Sequence, residues 1–479
     1  MDEISFGTDG WRATLETFTA PRVRAVGQAV ATYLRDEGLD APVAVGYDAR
    51  ETSRGFAEEL TRVLCANGFD VLLPERDLPT PLIAHGIVER GLSGALVVTA
   101  SHNPPTYNGV KFIPADGAPA PPAVMDAVAE RLAEPDPLPA SEHGTAREVD
   151  FVEPHAAAAM DLFERFAEGT DLDGLAVAYD AMHGSGRGVT DALLARAGAS
   201  IERLRGDRDP TFGGSPPEPA PAHLGELVDR VTAREAAVGG LDDGSGGAAS
   251  GEPALGIAND GDADRLAVVT PERGYLDENL FFAALYDWLL ERDSGPAIRT
   301  VSTTYLIDRV AETRGESVRE VPVGFKWVAE AMAAHDALVG GEESGGFTVR
   351  GHVREKDGVL IALLAAAMHA EEPLDERVDR LLDEHGTVVQ DKRSVPCPES
   401  EKRRVLDALA DAIPGAVAGV AVEDVNTADG FKLLLADGSW LLVRPSGTEP
   451  VLRVYGEATD EGRLTTLLEE GVALVEPLV

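Results

Sequence analysis

Hydrophobic positions fall into short apolar runs that alternate with longer amphipathic segments through most of the chain. In the first part of the chain, helices are predicted between the apolar runs, at Arg22–Glu37, Ser53–Ala66 and Thr80–Arg90. Strands are predicted at Pro42–Asp48, Phe69–Pro74, Gly94–Thr99, Leu175–Asp180, Ser200–Arg205, Ala254–Asn259, Ile298–Thr303, Val318–Val323 and Ala337–Gly340. This alternation predicts βαβ units with largely parallel sheets.

The C-terminal part of the chain has a different pattern. A helix is predicted at Glu399–Ala412 and another at the C-terminus, and Ala436–Ser439 is typical of a hairpin turn. Strands are predicted at Val417–Val425, Gly430–Leu435, Trp440–Arg444 and Val451–Glu457. We therefore expect three similar α/β domains at residues 1–150, 151–271 and 272–385, followed by an α+β domain at residues 386–479.

Three segments have the composition of linkers or surface loops. Ala118–Pro122 and Ala133–Glu142 are rich in proline and alanine. Gly239–Pro253 combines glycine, serine and acidic residues, and such a segment cannot bury a core.

The overall charge excludes several classes of function. The 479 residues include 83 acidic and 42 basic side chains, for a net charge of −41. Sequence-independent binding to nucleic acid or to an anionic membrane needs clustered positive charge, so neither partner is expected. No apolar run approaches the roughly 20 residues of a membrane span, and we expect a cytoplasmic protein.

Lysine is almost absent from the basic residues. Only six of the 42 are lysine, namely Lys111, Lys326, Lys356, Lys392, Lys402 and Lys432. This composition resembles halophilic proteins, since concentrated salt screens repulsion between acidic groups. A GC-biased, merely acidic proteome is the less favoured interpretation.

A first candidate site lies where the strand predicted at Gly94–Thr99 ends. Ligands of open α/β sheets bind at such strand ends. Ser101 is therefore a candidate nucleophile or phosphate carrier, with His102 and Lys111 nearby. An ordinary turn serine before an Asn-Pro break fits this segment equally well.

A second candidate site is an acidic loop after another predicted strand. Asp260, Asp262 and Asp264 alternate, so that three carboxylates can face one hard cation. A calcium-binding EF-hand loop needs glycine at its sixth position and glutamate at its twelfth, where this chain has Arg265 and Pro271. A magnesium site is favoured over a solvated acidic turn.

Two further polar segments are rich in glycine or serine. Gly340–Gly346 places Glu342 between glycines, where a carboxylate can accept hydrogen bonds from sugar hydroxyls, although an ordinary turn is slightly favoured. Arg444–Pro450 offers an arginine, two hydroxyls and glycine amides, which favour a phosphate site.

Taken in order, these motifs resemble those of the α-D-phosphohexomutase family. They are Phe6–Arg12, Thr99–Pro104, Asp260–Arg265, Gly341–Gly345 and Arg444–Thr448, spread over nearly the whole chain. The resemblance implies four domains around a central cleft, the last one similar to a TATA-binding protein. It also implies a phosphoserine enzyme that uses magnesium, with a hexose 1,6-bisphosphate as intermediate and activator.

The same resemblance implies roles for individual residues. Ser101 would carry the phosphoryl group and, with the three aspartates, hold the metal. Arg12 and Lys111 would surround that phosphate, with Lys111 a candidate for proton transfer, and His102 is either catalytic or structural. The residues implied to bind substrate are Arg265, Gly324, Lys326, Glu342, Ser344, Lys356, Arg444, Ser446, Gly447 and Thr448.

The sugar is predicted less firmly than the chemistry. Val323–Trp327 and Lys356–Val359 resemble segments of phosphoglucomutases that act on α-D-glucose phosphates. A phosphomannomutase or a dual enzyme is the alternative. A phosphoglucosamine mutase is less favoured, because Glu343 and Gly346 stand where that type usually has Gln and His.

Two other classes of protein compete with this interpretation. A metal-dependent serine phosphatase could use Ser101, but such sites generally add histidine ligands, and the ten histidines here show no metal spacing. A non-enzymatic, cation-buffering acidic protein would not need Lys111 or Arg444. The expected partner is a hexose phosphate, and the chain would act as a monomer or homodimer.

Overall fold

Four sheets with their own helices make up the described parts of the chain. The computed structural model describes residues 4–7, 10–238, 252–447 and 449–479, with only the backbone of residues 233–238. Most of the loop predicted at Gly239–Pro253 and the predicted substrate residue Thr448 therefore lie outside the described residues.

Domain I contains a six-stranded mixed sheet. Its strands are β1 (Trp11–Thr14), β2 (Val43–Tyr47), β3 (Val71–Leu73), β4 (Gly94–Val98), β5 (Tyr107–Pro114) and β6 (Ala146–Glu148), in the order β1-β5-β4-β2-β3-β6. Its helices are α1 (Ala20–Asp36), α2 (Ser53–Ala66), α3 (Thr80–Arg90) and α4 (Pro122–Ala129). Helices α2 and α3 have the predicted bounds, whereas the loop predicted at Ala118–Pro122 ends where α4 begins.

Domain II has five strands in the order β11-β10-β9-β7-β8. They are β7 (Ala176–Asp180), β8 (Ser200–Leu204), β9 (Leu255–Asn259), β10 (Leu266–Thr270) and β11 (Gly274–Leu276), with helices α5 (Val152–Phe166), α6 (Thr190–Arg196) and α7 (Gly225–Val238). Strands β8, β7 and β9 are parallel, and β10 and β11 continue the sheet in antiparallel pairs.

Domain III has a four-stranded sheet in the order β13-β12-β14-β15. Its elements are α8 (Glu278–Leu290), β12 (Ala297–Thr300), α9 (Leu306–Arg314), β13 (Val318–Val321), α10 (Phe325–His335), β14 (Val339–Gly341), β15 (Phe347–Val349), α11 (Gly358–Glu371) and α12 (Leu374–His385). The first three domains thus have the predicted mixed, largely parallel α/β architecture.

Domain IV is an antiparallel sheet covered by two helices. Its elements are β16 (Val389–Pro396), α13 (Glu399–Ala412), β17 (Ala416–Val417), β18 (Val420–Asn426), β19 (Phe431–Leu435), β20 (Trp440–Pro445), β21 (Val451–Ala458) and α14 (Glu461–Val475). The single strand predicted at Val417–Val425 is wrong, because Ala418 and Gly419 have φ angles of 48° and 76° and turn the chain between β17 and β18.

One hydrophobic core is shared by domains I, II and III, while domain IV has its own. Helix α11 lies in the shared core, and every residue from Gly358 to His369 is buried. A helix that is apolar on all sides needs such surroundings. Among the described helices, α11 included, none combines the length and apolarity that crossing a bilayer would require.

We predict that Leu363→Ala in α11 destabilises the protein by about 2–5 kcal/mol, because it leaves a cavity in the shared core. Leu363 is fully buried, whereas Val88 on α3 is 54% exposed. Chemical denaturation at constant salt measures the free energy of unfolding of both variants. That of Val88→Ala should lie within about 0.5 kcal/mol of the parent value. Equal losses in the two variants would contradict this account of the core.

Candidate active site

The predicted phosphate carrier Ser101 lies in a constrained loop directly after β4. Its φ angle of 49° is in the left-handed region, which side chains other than glycine rarely adopt. The Ser101 amide donates to Thr99 Oγ1 at 2.8 Å, and that hydroxyl donates to Asp48 Oδ2 at 2.8 Å. Both residues hold the loop from the buried ends of neighbouring strands.

Arg50 binds the same loop from beneath and was not found by sequence analysis. It is 1% exposed and pairs with Asp48 at 3.0 Å. Its guanidinium donates to the carbonyl oxygens of four loop residues, Ser101 (2.8 Å), Asn103 (2.6 Å), Pro104 (2.7 Å) and Tyr107 (3.2 Å). The sequence signal was an Asp-x-Arg triplet at the end of a predicted strand, which alone resembles an ordinary turn.

The acidic loop between β9 and β10 reaches Ser101 from domain II. Asp260, Asp262 and Asp264 are fully buried, and ligand oxygens from the three lie within 4.8 Å of one another. Ser101 Oγ donates to Asp260 Oδ2 at 2.6 Å. Buried oxygens Oδ1 of Asp262 and Asp264 have no hydrogen-bond partner. This oxygen-rich set therefore fits a hard divalent cation.

Positive side chains offset part of this buried negative charge. Lys111 Nζ lies 3.2 Å from Asp262 Oδ2 and 2.9 Å from Asp264 Oδ2, and Lys356 Nζ lies 3.1 Å from the latter oxygen. Burial opposes ionisation of Asp264, but the two lysines and Arg265 outweigh it and lower its pKa well below the usual range. Burial and the neighbouring carboxylates instead raise the pKa of Asp260.

These groups adjoin a cleft of about 460 Å³ to which domains I, III and IV and the acidic loop of domain II contribute. Predicted residues that line it are Arg12, His102, Arg265, Gly324, Lys326, Glu342, Ser344, Lys356, Arg444, Ser446 and Gly447. Sequence analysis did not identify Arg453, which also lines the cleft and pairs with Glu449. The arginine follows the phosphate motif on β21, where it reads as an ordinary strand residue.

His102 directly follows Ser101 in the same loop and lines the cleft. Its Nδ1 is 3.3 Å from Ser101 Oγ. The positive charge of Arg265, then burial and Arg12, lower the pKa of His102 to about 2. The ring is therefore neutral at physiological pH and is a weak base.

The predicted sugar loop joins β14 to β15. Glu342 Oε1 accepts a hydrogen bond from the Gly324 amide at 2.9 Å, and burial raises the pKa of this carboxyl. Gly324 has a φ angle of 122°, a conformation that favours glycine, at the start of α10. This bond brings the two predicted substrate segments of domain III together.

The predicted phosphate loop follows β20 in domain IV. Arg444 Nε donates to Asp429 Oδ2 at 2.8 Å. Lys402, a buried lysine that sequence analysis did not assign to the site, donates to the carbonyl oxygens of Ser446 (2.6 Å) and Glu449 (2.7 Å). Like Arg50 in domain I, Lys402 holds the backbone of a binding loop from below.

Three α/β domains and an antiparallel domain, each contributing a polar loop to one cleft, define an α-D-phosphohexomutase fold. The sequence matches the models of all four domains of the phosphoglucomutase/phosphomannomutase family. They are alpha/beta/alpha domains I (residues 3–138), II (156–274) and III (277–385), and the C-terminal domain (394–474). The chain therefore belongs to this family, whose members are intramolecular phosphotransferases.

Relatives of similar length carry different substrate names. A "Probable phosphoglucosamine mutase" of Methanothermobacter thermautotrophicus is 30% identical, over 99% of this chain and 98% of that protein. A "Phosphopentomutase" of Thermococcus kodakarensis is 32% identical, over 99% of this chain and 98% of that protein. A phosphoglucomutase/phosphomannomutase family protein from Burkholderia thailandensis has a solved structure with the same fold, at a TM-score of 0.81. The two sequences are 22% identical, over 99% of this chain and 98% of that one.

We predict that Arg50→Lys lowers turnover by roughly 100-fold, because an ammonium cannot make the four carbonyl hydrogen bonds that orient Ser101. Steady-state kinetics and phosphorylation of Ser101 would both measure the loss. Arg54→Lys is the matched control, because Arg54 forms an exposed pair with Glu58 on the adjacent helix. Parent-like phosphorylation in Arg50→Lys would contradict the role of this arginine.

Proposed function

We propose that this protein interconverts α-D-glucose 1-phosphate and glucose 6-phosphate through a phosphorylated Ser101 and a bound 1,6-bisphosphate. The observation that carries the proposal is the single cleft. On the side of domains I and II it is lined by Arg12, His102 and Arg265, next to Ser101, and on the side of domain IV by Arg444 and Ser446. One site can then donate a phosphoryl group while the other holds a phosphate that does not react.

In the proposed reaction, a sugar hydroxyl attacks the phosphorus on phosphorylated Ser101. A bond from the sugar oxygen to phosphorus forms, the bond from phosphorus to Ser101 Oγ breaks, and Oγ receives the proton that the sugar hydroxyl gives up. Lys111 is the candidate to carry this proton, because the lowered pKa of His102 makes its ring a weak base. In the reverse transfer, Ser101 takes the other phosphate of the bisphosphate.

Asp260, Asp262 and Asp264 would hold a magnesium ion, which fits their burial and the Oδ1 atoms of Asp262 and Asp264, which accept no hydrogen bond. When bound, magnesium supplies positive charge to the phosphoryl oxygens. Around the same phosphate, Arg12, Lys111 and Arg265 would stabilise charge that develops in the transfer. Lys111 is already held by two aspartates and Arg12 by the side-chain oxygen of Asn103, so these two cations would need little reorganisation.

The bisphosphate must turn so that either phosphate can face Ser101. Glu342 suits both orientations, because its two oxygens can accept hydrogen bonds from neighbouring ring hydroxyls in either direction. Ser344 lines the same part of the cleft, and Lys326, Arg444 and Gly447 would bind the distal phosphate, as would Thr448 by its place in the sequence.

Glucose is proposed as the sugar because of the residues around the domain III loops. Val323–Trp327 and Lys356–Val359 have the phosphoglucomutase-like pattern, and Glu343 and Gly346 differ from the phosphoglucosamine mutase pattern. Mannose phosphate, alone or with glucose phosphate, is the alternative. The names of the archaeal relatives make glucosamine and pentose phosphates necessary comparisons.

We predict that glucose 1-phosphate gives the highest kcat/KM in a panel with mannose, glucosamine and pentose phosphates, each with its bisphosphate. Coupled assays measure isomerisation, and intact mass detects the phosphoryl group on Ser101. Ser101→Ala should lose both the adduct and at least about 1,000-fold in turnover, since it removes the nucleophile.

Other outcomes of the panel would change the assignment. A clear preference for mannose phosphate would favour the alternative sugar. Release of inorganic phosphate without isomerisation would instead support a phosphatase. The proposed mutase activity would be contradicted if the protein is fully folded but stays unphosphorylated after treatment with every bisphosphate.

We also predict that chelation of divalent metal abolishes turnover and that added magnesium restores it. The free energy of unfolding at constant high salt should change little. Asp262→Asn should weaken magnesium activation by at least about tenfold, because the site loses one of its anionic ligands. Titration of activity against magnesium measures this shift. Asp229→Asn, on the exposed face of α7, is the matched control. Full activity in a metal-free buffer would contradict a metal requirement.

A further inference from the structure

Three histidines from three domains meet in the interior, behind the cleft. His85 lies on α3, His155 on α5, and His352 on the turn between β15 and α11. Their ring centroids are 5.3 to 5.6 Å apart in every pairing. None of them lines the cleft described above, and the proposed reaction uses none of them.

Two of these histidines bind the same oxygen of a buried carboxylate. His155 Nε2 lies 2.6 Å and His352 Nε2 lies 2.7 Å from Asp357 Oδ2. An ionised carboxylate only accepts hydrogen bonds, so each ring donates from Nε2. Burial disfavours the charged carboxylate, yet the histidines outweigh it and hold the pKa of Asp357 well below its usual range.

The other oxygen of Asp357 caps helix α11. Asp357 Oδ1 accepts hydrogen bonds from the amides of Val359 (3.0 Å) and Leu360 (2.8 Å). The Asp357 amide donates to the Phe347 carbonyl at 2.9 Å. The carboxylate and the backbone of this one residue are therefore fixed to domain II, to β15 and to the first turn of α11.

The residues on either side of Asp357 contact the acidic loop. Lys356 precedes it and places Nζ 3.1 Å from Asp264 Oδ2. Gly358 follows it, and its carbonyl accepts a hydrogen bond from Asn259 Nδ2 at 3.2 Å. A Cβ on Gly358 would lie 2.4 Å from the Arg265 carbonyl oxygen, so the start of α11 is packed directly against the acidic loop.

We propose that His155 and His352 are positioning residues that act through Asp357 to hold Lys356 against Asp264. This inference rests on the proposed function, in which Lys356 belongs to the positive charge around the reacting phosphate. His155 thereby joins domain II to the lysine of domain III by hydrogen bonds rather than by apolar packing alone. Without its two donors, the Asp357 carboxylate would be left partly unsatisfied in the interior, and the turn that carries Lys356 would shift.

A metal ion is the competing occupant of this cluster. The ligand atoms of His155, His352 and Asp357 lie within 4.8 Å of one another. Two direct hydrogen bonds already satisfy Asp357 Oδ2, however, so the arrangement needs no cation. Metal analysis of the purified protein is therefore part of the test.

The first comparison separates the hydrogen bonds from the packing of the rings. His155→Met and His352→Met remove the donor at similar volume and should each lower kcat roughly tenfold, with a smaller change in KM, since a hydrogen bond to a charged group is lost. His155→Gln can still donate to Asp357 and should recover much of this loss. His85→Met is the matched control, because His85 packs on both rings and is not bonded to Asp357.

The second comparison asks whether the effect passes through Lys356. If it does, His155→Met should lower kcat little further in a Lys356→Met background, because coupled residues are not additive. Additive losses in the double variant would overturn the proposal. An equal loss of kcat in His85→Met would also overturn it, since general destabilisation of the junction would then explain the effect.

A third measurement does not depend on turnover. Reductive methylation followed by mass spectrometry reports how accessible Lys356 is, and the rate should rise severalfold in His155→Met and His352→Met but not in His85→Met. Unchanged labelling of Lys356 would overturn the proposal even if the parent protein had no mutase activity. Stoichiometric zinc or another transition metal in the purified parent, lost in His155→Met, would identify the cluster as a metal site instead.

Discussion

A cluster of opposite charges buried beside Ser101 is the constraint on which the rest of the structure depends. Three carboxylates on one loop would repel one another strongly in a medium from which water is excluded. Lys111 and Lys356 reduce this repulsion, and each must come from a different domain to do so. The acidic loop therefore requires that domains I, II and III pack closely, which agrees with the core they share.

Interior partners also account for where most of the few lysines of this acidic chain are found. Lys111, Lys356, Lys402 and Lys432 are buried, and Lys326 lines the cleft, whereas only Lys392 is exposed. At the surface, arginine supplies the positive charge. A compact ammonium on a flexible stem fits between two carboxylates, as Lys111 does between Asp262 and Asp264, whereas the guanidinium of Arg50 suits several carbonyls at once. The lysines that remain are mostly those with interior partners.

Much of the site could be predicted from the sequence, because its loops directly follow apolar strands. Ser101, the three aspartates and Glu342 are of this kind, and the structure places Glu342 in the cleft and the other four beside residues that line it. The supporting residues could not be predicted in the same way. Arg50, Lys402 and His155 act on partners 51, 44 and 202 positions away, and nothing in their local sequence indicates those contacts.

Local backbone conformation was the other source of error in the predicted fold. The turn at Ala418 and Gly419 divides a continuous β-rich segment, and β16 was missed because most of its residues are polar and exposed. Strand β5 was read only as part of the serine motif, since glycine and lysine interrupt its apolar pattern. In each case, pairing with a neighbouring strand overrides the pattern of the segment itself.

The two proposed phosphate sites are held in place by different parts of the structure. The reacting site lies on the core shared by three domains, whereas the distal loop belongs to domain IV, which has a core of its own. Domain IV meets domain III through a small apolar cluster that includes Val301 and Trp440, and through Lys432, which contacts Glu320 at 2.7 Å. The hydrogen bonds that position Ser101 come from domains I and II. In the proposed reaction, this division would let the groups around Ser101 remain fixed while the distal loop accepts either end of the sugar.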